Sequence, residues 1–249
     1  MKKILITGAS SGFGRAIAEK FASLGHEIII TGRREKLLNE LKDALVSKYN
    51  IPVTVLVFDV QHKKEVFDLL QDNPILENLD ILVNNAGLAL GRDLFDEASL
   101  DDWETMIDTN VKGLLYVTKA VLHNFIKKGG GHIINIGSTA GKEVYERGNV
   151  YCATKMGVEA LSQAMRIDLL RHKIKVTVIH PGAADTEFST IRFKGDKQKA
   201  DAVYEGYTPL YAADVADTVH YCATLPAHVC INSVVMTCLA QANSFYLFK

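Results

Sequence analysis

Short apolar, often β-branched runs alternate with amphipathic stretches along most of the chain, the pattern of a parallel sheet covered by helices on both faces. Six strands are predicted, at Lys3 to Thr7, Glu27 to Thr31, Val53 to Phe58, Ile81 to Asn84, His132 to Ile136 and Lys175 to Ile179. Their unbroken apolar character suits strands buried on both sides. Between them Ile17, Phe21 and Leu24 share one helical face, and Leu37, Leu38, Leu41 and Leu45 form a second stripe. The proline-free stretch from Leu100 to Ile126 predicts one long helix with Trp103, Ile107, Val111, Leu114, Leu115 and Val121 to bury. A second long helix is predicted from about Asn149 to Arg171. From Ala183 to Ala213 the alternation fails, and that polar, Lys- and Asp-rich segment is expected to be a long functional loop, a lid over a substrate site. No repeat or linker divides the chain, so the fold expected is a single doubly wound α/β domain over residues 1–249.

Charge adds exclusions. With 28 Lys and Arg against 29 Asp and Glu, and no basic block, the electrostatic footprint of a nucleic-acid or anionic-membrane binder is missing. No apolar run reaches the ~20 residues of a membrane span, and the Lys2-Lys3 start is cut short by Thr7-Gly8 before it could serve as a signal peptide. Four cysteines, Cys152, Cys222, Cys230 and Cys238, form no C-x-x-C pair and have no His at zinc-ligand spacing. The expectation is a cytoplasmic, thiol-reduced protein with no metal.

The first candidate chemistry is a turn, Thr7-Gly8-Ala9-Ser10-Ser11-Gly12-Phe13-Gly14, between the first strand and the first helix. There a dinucleotide pyrophosphate would meet free helix N–H groups. The spacing is G-x-x-x-G-x-G, which assigns Gly8 to the tight turn, Gly12 to the approach of phosphate and Gly14 to contact between helix and strand. The second strand ends in Thr31-Gly32-Arg33-Arg34, with no carboxylate for ribose hydroxyls. Two guanidiniums suit a 2′-phosphate, which favours NADP(H) over NAD; the alternative is that they open the next helix as solvated side chains. Asp59 could accept from an adenine amino group or cap a helix.

Taken together, Thr7 to Gly14, Asn84-Asn85-Ala86-Gly87, Asn110, Ser138, the Tyr151-x-x-x-Lys155 pair and Pro181-Gly182 resemble the short-chain dehydrogenase/reductase family over essentially the whole chain. Leu88 to Gly91, Asp102 to Asn110, His132 to Gly141 and Arg192 to Asp196 are similar to its NADP-dependent 3-hydroxy acid dehydrogenases. The resemblance implies a Rossmann-type fold, an oxidoreductase and a homotetramer. It extends cofactor contact to Ser10, Ser11, Phe13, Val60, Asn85, Ala86, Gly87, Pro181, Gly182 and Thr186, gives Lys155 the nicotinamide ribose, and has Asn110 hold a water that links Lys155 to solvent. Ala183-Ala184-Asp185 departs from the subgroup's pattern.

The residues themselves support such chemistry. Tyr151 and Lys155, four apart at a helix start, share a face. A phenol with a pKa of about 10 is a poor base near neutrality, and the Lys155 ammonium, with any positive nicotinamide ring, is expected to favour its ionised form. Tyr151 would then exchange the alcohol proton while nicotinamide carries hydride. Ser138, after the fifth strand, can donate to the substrate oxygen. His132 and His180 are read as structural. A hydroxy acid needs a cation for its carboxylate, and Arg147 and Arg192, the latter with Lys194, are the candidates. The expected reaction joins a 3-hydroxy acid such as serine, allo-threonine or 3-hydroxypropionate to its 3-oxo acid. The alternatives are a carbonyl reductase for neutral ketones or aldehydes, and a nucleotide-binding regulator without turnover.

Overall fold

A computed structural model describes all residues, 1–249. Seven parallel strands form its central sheet: β1 (Lys3–Ile6), β2 (Glu27–Gly32), β3 (Val53–Val57), β4 (Ile81–Asn84), β5 (Gly131–Ile136), β6 (Ile174–Pro181) and β9 (Ser233–Met236), in spatial order β3-β2-β1-β4-β5-β6-β9. The chain leaves β1 toward β2 and returns on the other side with β4, so the order reverses between β1 and β4. The loops after those two strands diverge there, which opens a crevice at the carboxyl edge.

Helices α1 (Gly12–Ser23), α2 (Glu35–Tyr49) and α9 (Ala212–Thr224) cover one face, packing Ile17, Phe21, Leu38, Leu41, Val215 and Val219 on Ile4, Ile6, Ile28 and Ile30. On the opposite face α3 (Lys63–Leu70) and α5 (Leu114–Lys128) press Val66, Leu70, Val117, Val121 and Phe125 against Leu5, Ile29, Leu82 and Ile133. Alternate residues of β1 thus serve opposite cores, which is why the strands read as continuous apolar runs.

Three expectations need correction. The stretch from Leu100 to Ile126 is not one regular helix: α4 (Leu100–Ile107) and α5 are joined by a π-helical turn at Asp108–Gly113. At its end Gly113 packs on Val60, where an added Cβ would lie 2.8 Å from Cγ2, so the position has no room for a side chain. The second long helix, α6 (Asn149–Asp168), stops earlier than expected and gives way to a 3₁₀ turn at Leu170–His172. The segment 183–213 is not an irregular loop. It holds β7 (Ala184–Asp185), α7 (Glu187–Arg192), α8 (Lys197–Ala202) and β8 (Leu210–Tyr211), with Thr186 capping α7 and Asp196 capping α8. The hydrophobic pattern predicts neither the edge strand β9 nor helix α9, both of which the fold contains. No helix is long and apolar enough to cross a membrane.

Candidate active site

The crevice consists of two adjoining cavities. A cleft of about 420 Å³ runs along the glycine-rich turn, the ends of β2 and β3 and the loop after β4. A smaller one of about 210 Å³ lies between the turn after β5 and α7. Tyr151, Phe13, Gly137, Thr186 and Phe188 line both.

The larger cleft gathers most of the residues expected to hold a dinucleotide: Gly8, Ser10, Ser11, Gly12, Phe13, Arg33, Arg34, Asp59, Val60, Asn85, Ala86, Gly87, Tyr151, Lys155 and Thr186. Gly8 and Gly12 have φ of +65° and +51°, the left-handed region that glycine occupies without strain. Gly14 lies behind the cleft wall, where a Cβ would come within 2.4 Å of the Gly8 carbonyl oxygen. Ser11 makes no side-chain cap on α1, so the first-turn N–H groups remain available to an anion.

Asn85 is the lace between the two turns at the switch point. Its Nδ2 donates to the carbonyls of Thr7 at 2.8 Å and Gly8 at 3.1 Å, while the Thr7 hydroxyl accepts from the Asn85 and Ala86 N–H groups at 3.0 Å each. Arg34 reaches across the cleft mouth, donating to Ser10 Oγ at 3.1 Å, Ser11 Oγ at 2.6 Å and Glu187 Oε2 at 3.0 Å. Arg33 pairs with Asp59 at 3.2 Å. Both guanidiniums therefore stand where the second strand ends, at the rim of the cleft, and Glu187 brings the start of α7 to them.

The smaller cavity contains Ser138, Pro181, Gly182, Arg192 and, unforeseen from the sequence, Arg92, Tyr145 and Tyr204. Arg192 donates to the Gly91 carbonyl at 3.2 Å and to the Tyr145 hydroxyl at 2.9 Å, and its guanidinium lies 5.6 Å from the ring centroids of both Tyr145 and Tyr151. Arg147 does not join it: the side chain is exposed and lines neither cavity. Lys194 is likewise outside, paired with Asp102 at 2.8 Å. The added aromatic and cationic lining had no sequence signal, because Arg92 and Tyr145 sit in loops with no motif around them.

Tyr151 and Lys155 are both buried on α6. Lys155 Nζ donates to the Ile136 carbonyl at 3.0 Å and lies 6.0 Å from the Tyr151 ring centroid. With the protein's own groups alone, burial dominates the phenol and pushes its pKa up, while Ser138 and Arg192 pull it back. The protein's own groups therefore leave the phenol protonated, and the expected help of a positive nicotinamide ring beside Lys155 is not among them. Burial also lowers Lys155, to about 8. Ser138 starts a 3₁₀ turn, its Oγ accepting from the Ala140 N–H at 3.1 Å.

Asn110, inside the π turn, is committed to structure through its side chain. Its Oδ1 accepts from the Leu88 N–H, and its Nδ2 donates to the Leu88 carbonyl, both at 2.8 Å, and to Thr154 Oγ1 at 3.1 Å. It so ties α6 to the loop after β4.

A dinucleotide crevice with a Tyr and a Lys one helical turn apart on its floor defines an NAD(P)-type short-chain oxidoreductase site. The comparison with known proteins agrees: residues 2–197 match the family described as short chain dehydrogenase, and the chain belongs to it. It is 48% identical over 241 residues, 96% of both chains, to NADP-dependent 3-hydroxy acid dehydrogenase YdfG of Escherichia coli (strain K12). Sulfoacetaldehyde reductase 2 of Chromohalobacter salexigens is 44% identical, over 98% of this chain and 96% of that one. Among solved structures, the closed form of a serine dehydrogenase complexed with NADP+ superposes with a TM-score of 0.92 at 46% identity, covering 97% of each chain.

Proposed function

We propose that this protein is an NADP(H)-dependent dehydrogenase that interconverts small 3-hydroxy acids and their 3-oxo acids. The observation that carries the reading is the position of Tyr151 on the wall shared by the two cavities, with a phosphate-suited arginine pair at the far end of one and Arg192 in the other. The cofactor and the oxidoreductase class also rest on the relatives named above.

NADP(H) fits the larger cleft through Gly8, Gly12 and the α1 N-terminus at its pyrophosphate, Arg33 and Arg34 at its 2′-phosphate, and Lys155 at the nicotinamide ribose. The bound nicotinamide supplies the hydride acceptor or donor. Tyr151 takes the hydroxyl proton in oxidation and returns it to the oxygen in reduction. Ser138 donates a hydrogen bond to that oxygen as charge develops. Phe188, its ring centroid 5.7 Å from that of Tyr151, excludes water beside the phenol. Arg192, held flat by Tyr145 and Gly91, presents its remaining N–H groups to the substrate carboxylate. Asn110 is assigned a water that links Lys155 to solvent, with its side-chain bonds to Leu88 and Thr154 left in place.

A sulfonate offers oxygen acceptors to the same guanidinium, and the similarity to a sulfoacetaldehyde reductase favours a second reading in which 2-hydroxysulfonates are substrates. The assay is formation of reduced nicotinamide with L-serine, L-allo-threonine, 3-hydroxypropionate, isethionate and a neutral secondary alcohol, each with NADP and with NAD. Turnover of the carboxylic acids with NADP is expected; turnover of the neutral alcohol alone would overturn the acid assignment. Tyr151→Phe should bind NADPH and lose turnover, and an active Tyr151→Phe enzyme would refute the proton-transfer role.

The exposed Val235, Leu239, Phe245, Tyr246 and Phe248 along the β9 edge and the chain end support assembly, which we place at a homotetramer. A monomeric mass by light scattering at micromolar concentration would exclude it.

A further inference from the structure

Beneath Ser138 a buried histidine begins a polar chain that the reaction scheme does not use. His180, next to the end of β6, has no exposed surface and slots under the turn that follows β5. A Cβ on Gly137 would lie 2.6 Å from its Nδ1, and one on Gly141 would lie 3.3 Å away, so the turn can close on an imidazole because both positions are glycine. His180 Nδ1 is 2.9 Å from the Ser138 carbonyl oxygen and 3.4 Å from the Ser138 nitrogen. Its Nε2 is 2.8 Å from Glu159 Oε2. Glu159 lies one turn beyond Lys155 on α6, and its other oxygen accepts from Lys142 at 3.0 Å and from Gln163 at 2.7 Å.

Nε2–H donates to the ionised Glu159 on the helix that carries Tyr151 and Lys155. In the neutral ring that burial favours, Nδ1 then accepts from the Ser138 N–H, and in the protonated ring that Glu159 favours it donates to the Ser138 carbonyl, so either state holds the serine backbone. Burial alone would raise Glu159, but the Gln163, Lys142 and His180 contacts hold it at about 2, so the carboxylate is ionised at neutral pH. The same turn touches α6 a second time, since a Cβ on Gly141 would come within 2.7 Å of the Lys155 carbonyl oxygen. A pure packing role needs neither the carboxylate nor the two directed contacts, because an apolar side chain fills such a space without polar partners to satisfy.

We propose that His180 and Glu159 form a positioning pair for Ser138: the imidazole, oriented by Glu159 and Lys142, fixes the serine backbone so that its hydroxyl faces the same point as the Tyr151 phenol. The proposal rests on the reading of Ser138 as the hydroxyl that polarises the substrate oxygen. A displacement of a contacting group by about 1 Å costs up to roughly a hundredfold in rate, so loss of this clamp acts on kcat.

The test is a kinetic double-mutant cycle. His180→Leu is expected to lower kcat about tenfold or more, with KM for NADP within about twofold. His180→Asn, which keeps a polar atom at the Nδ1 position, should recover most of that loss. In a Ser138→Ala background, itself slow, His180→Leu should cost less than about twofold further. Glu159→Gln, at a partly exposed site that tolerates change, should reduce kcat several-fold in the parent and not in Ser138→Ala, which keeps the test open if His180→Leu fails to fold. Equal losses from either substitution in both backgrounds, or a loss confined to KM for NADP, would overturn the positioning role. Full activity in Ser138→Ala would instead overturn the reading of the serine.

Discussion

Replacing Arg33 and Arg34 by alanine separates recognition of the 2′-phosphate from everything else the cleft does. Arg34 is held at the cleft mouth by Ser10 and Ser11, so a phosphate meets an oriented guanidinium, one that it must share with Glu187. A charge-assisted hydrogen bond contributes about 1.5–3 kcal/mol when sheltered. These side chains are 59% and 43% exposed, and solvent screening brings the expected value to roughly 1–1.5 kcal/mol each. Each single substitution should then weaken NADPH about 5- to 10-fold, and the pair roughly 25- to 100-fold. NADH, without the phosphate, should change by less than about twofold. Titration of the quenching or transfer of nicotinamide fluorescence at low and high salt measures both, and the difference between the coenzymes should shrink with salt. Glu187→Gln removes a carboxylate that competes for Arg34, and should tighten NADPH. Equal weakening of NADPH and NADH, or no change in either, would refute this account of the arginines.

Gly14→Ala should destabilise by about 1–3 kcal/mol and abolish NADPH binding, since its Cβ would strike the Gly8 carbonyl; an unchanged melting temperature would contradict the packing. Lys155→Met should lose activity yet gain stability at pH 7. The folded pKa of Lys155, about 8, lies below its unfolded value of 10.5, so the cost of burying the charge is complete below pH 8 and is relieved as pH rises toward 10.5. Melting curves should accordingly show the variant's advantage, on the order of 1–3 kcal/mol, narrowing above pH 8. His132 is the acid-side counterpart. Burial lowers it to about 3, so between pH 6.5 and 3 the unfolded chain binds a proton that the native state refuses, and stability falls with pH by up to about 1.4 kcal/mol per unit. His132→Gln should flatten that slope in acid unfolding, and an unchanged slope would show that other groups dominate.

Much of this protein is legible locally. Runs such as Ile28–Ile30 in β2 are unbroken and apolar because each residue is buried on one face or the other, and that requirement is written residue by residue. The glycine-rich turn and the Tyr151-x-x-x-Lys155 pair were equally visible, since backbone conformation and helical spacing impose residue types at fixed intervals. Strand β9 escaped because four residues at a sheet edge, two of them half-buried, carry no periodicity to read. Helices α7 and α8, six residues each, are too short for a 3.6-residue period to emerge, so their segment read as irregular.

What the tertiary structure decided is which distant groups meet and how much water is left around them. Arg147 and Arg192 were equivalent candidates in the sequence, and packing placed one in solvent and the other beside Tyr151. Spacing pairs the phenol with the Lys155 ammonium, yet in the assembled core burial is the largest influence on Tyr151 and raises its pKa, with Ser138 and Arg192 opposing it. His180 and Glu159, 21 residues apart and on different elements, become partners where β6 passes beneath α6. Secondary structure and motif follow from short-range sterics and spacing, whereas charge pairing, desolvation and the sorting of side chains into a site depend on contacts that exist once the sheet has closed.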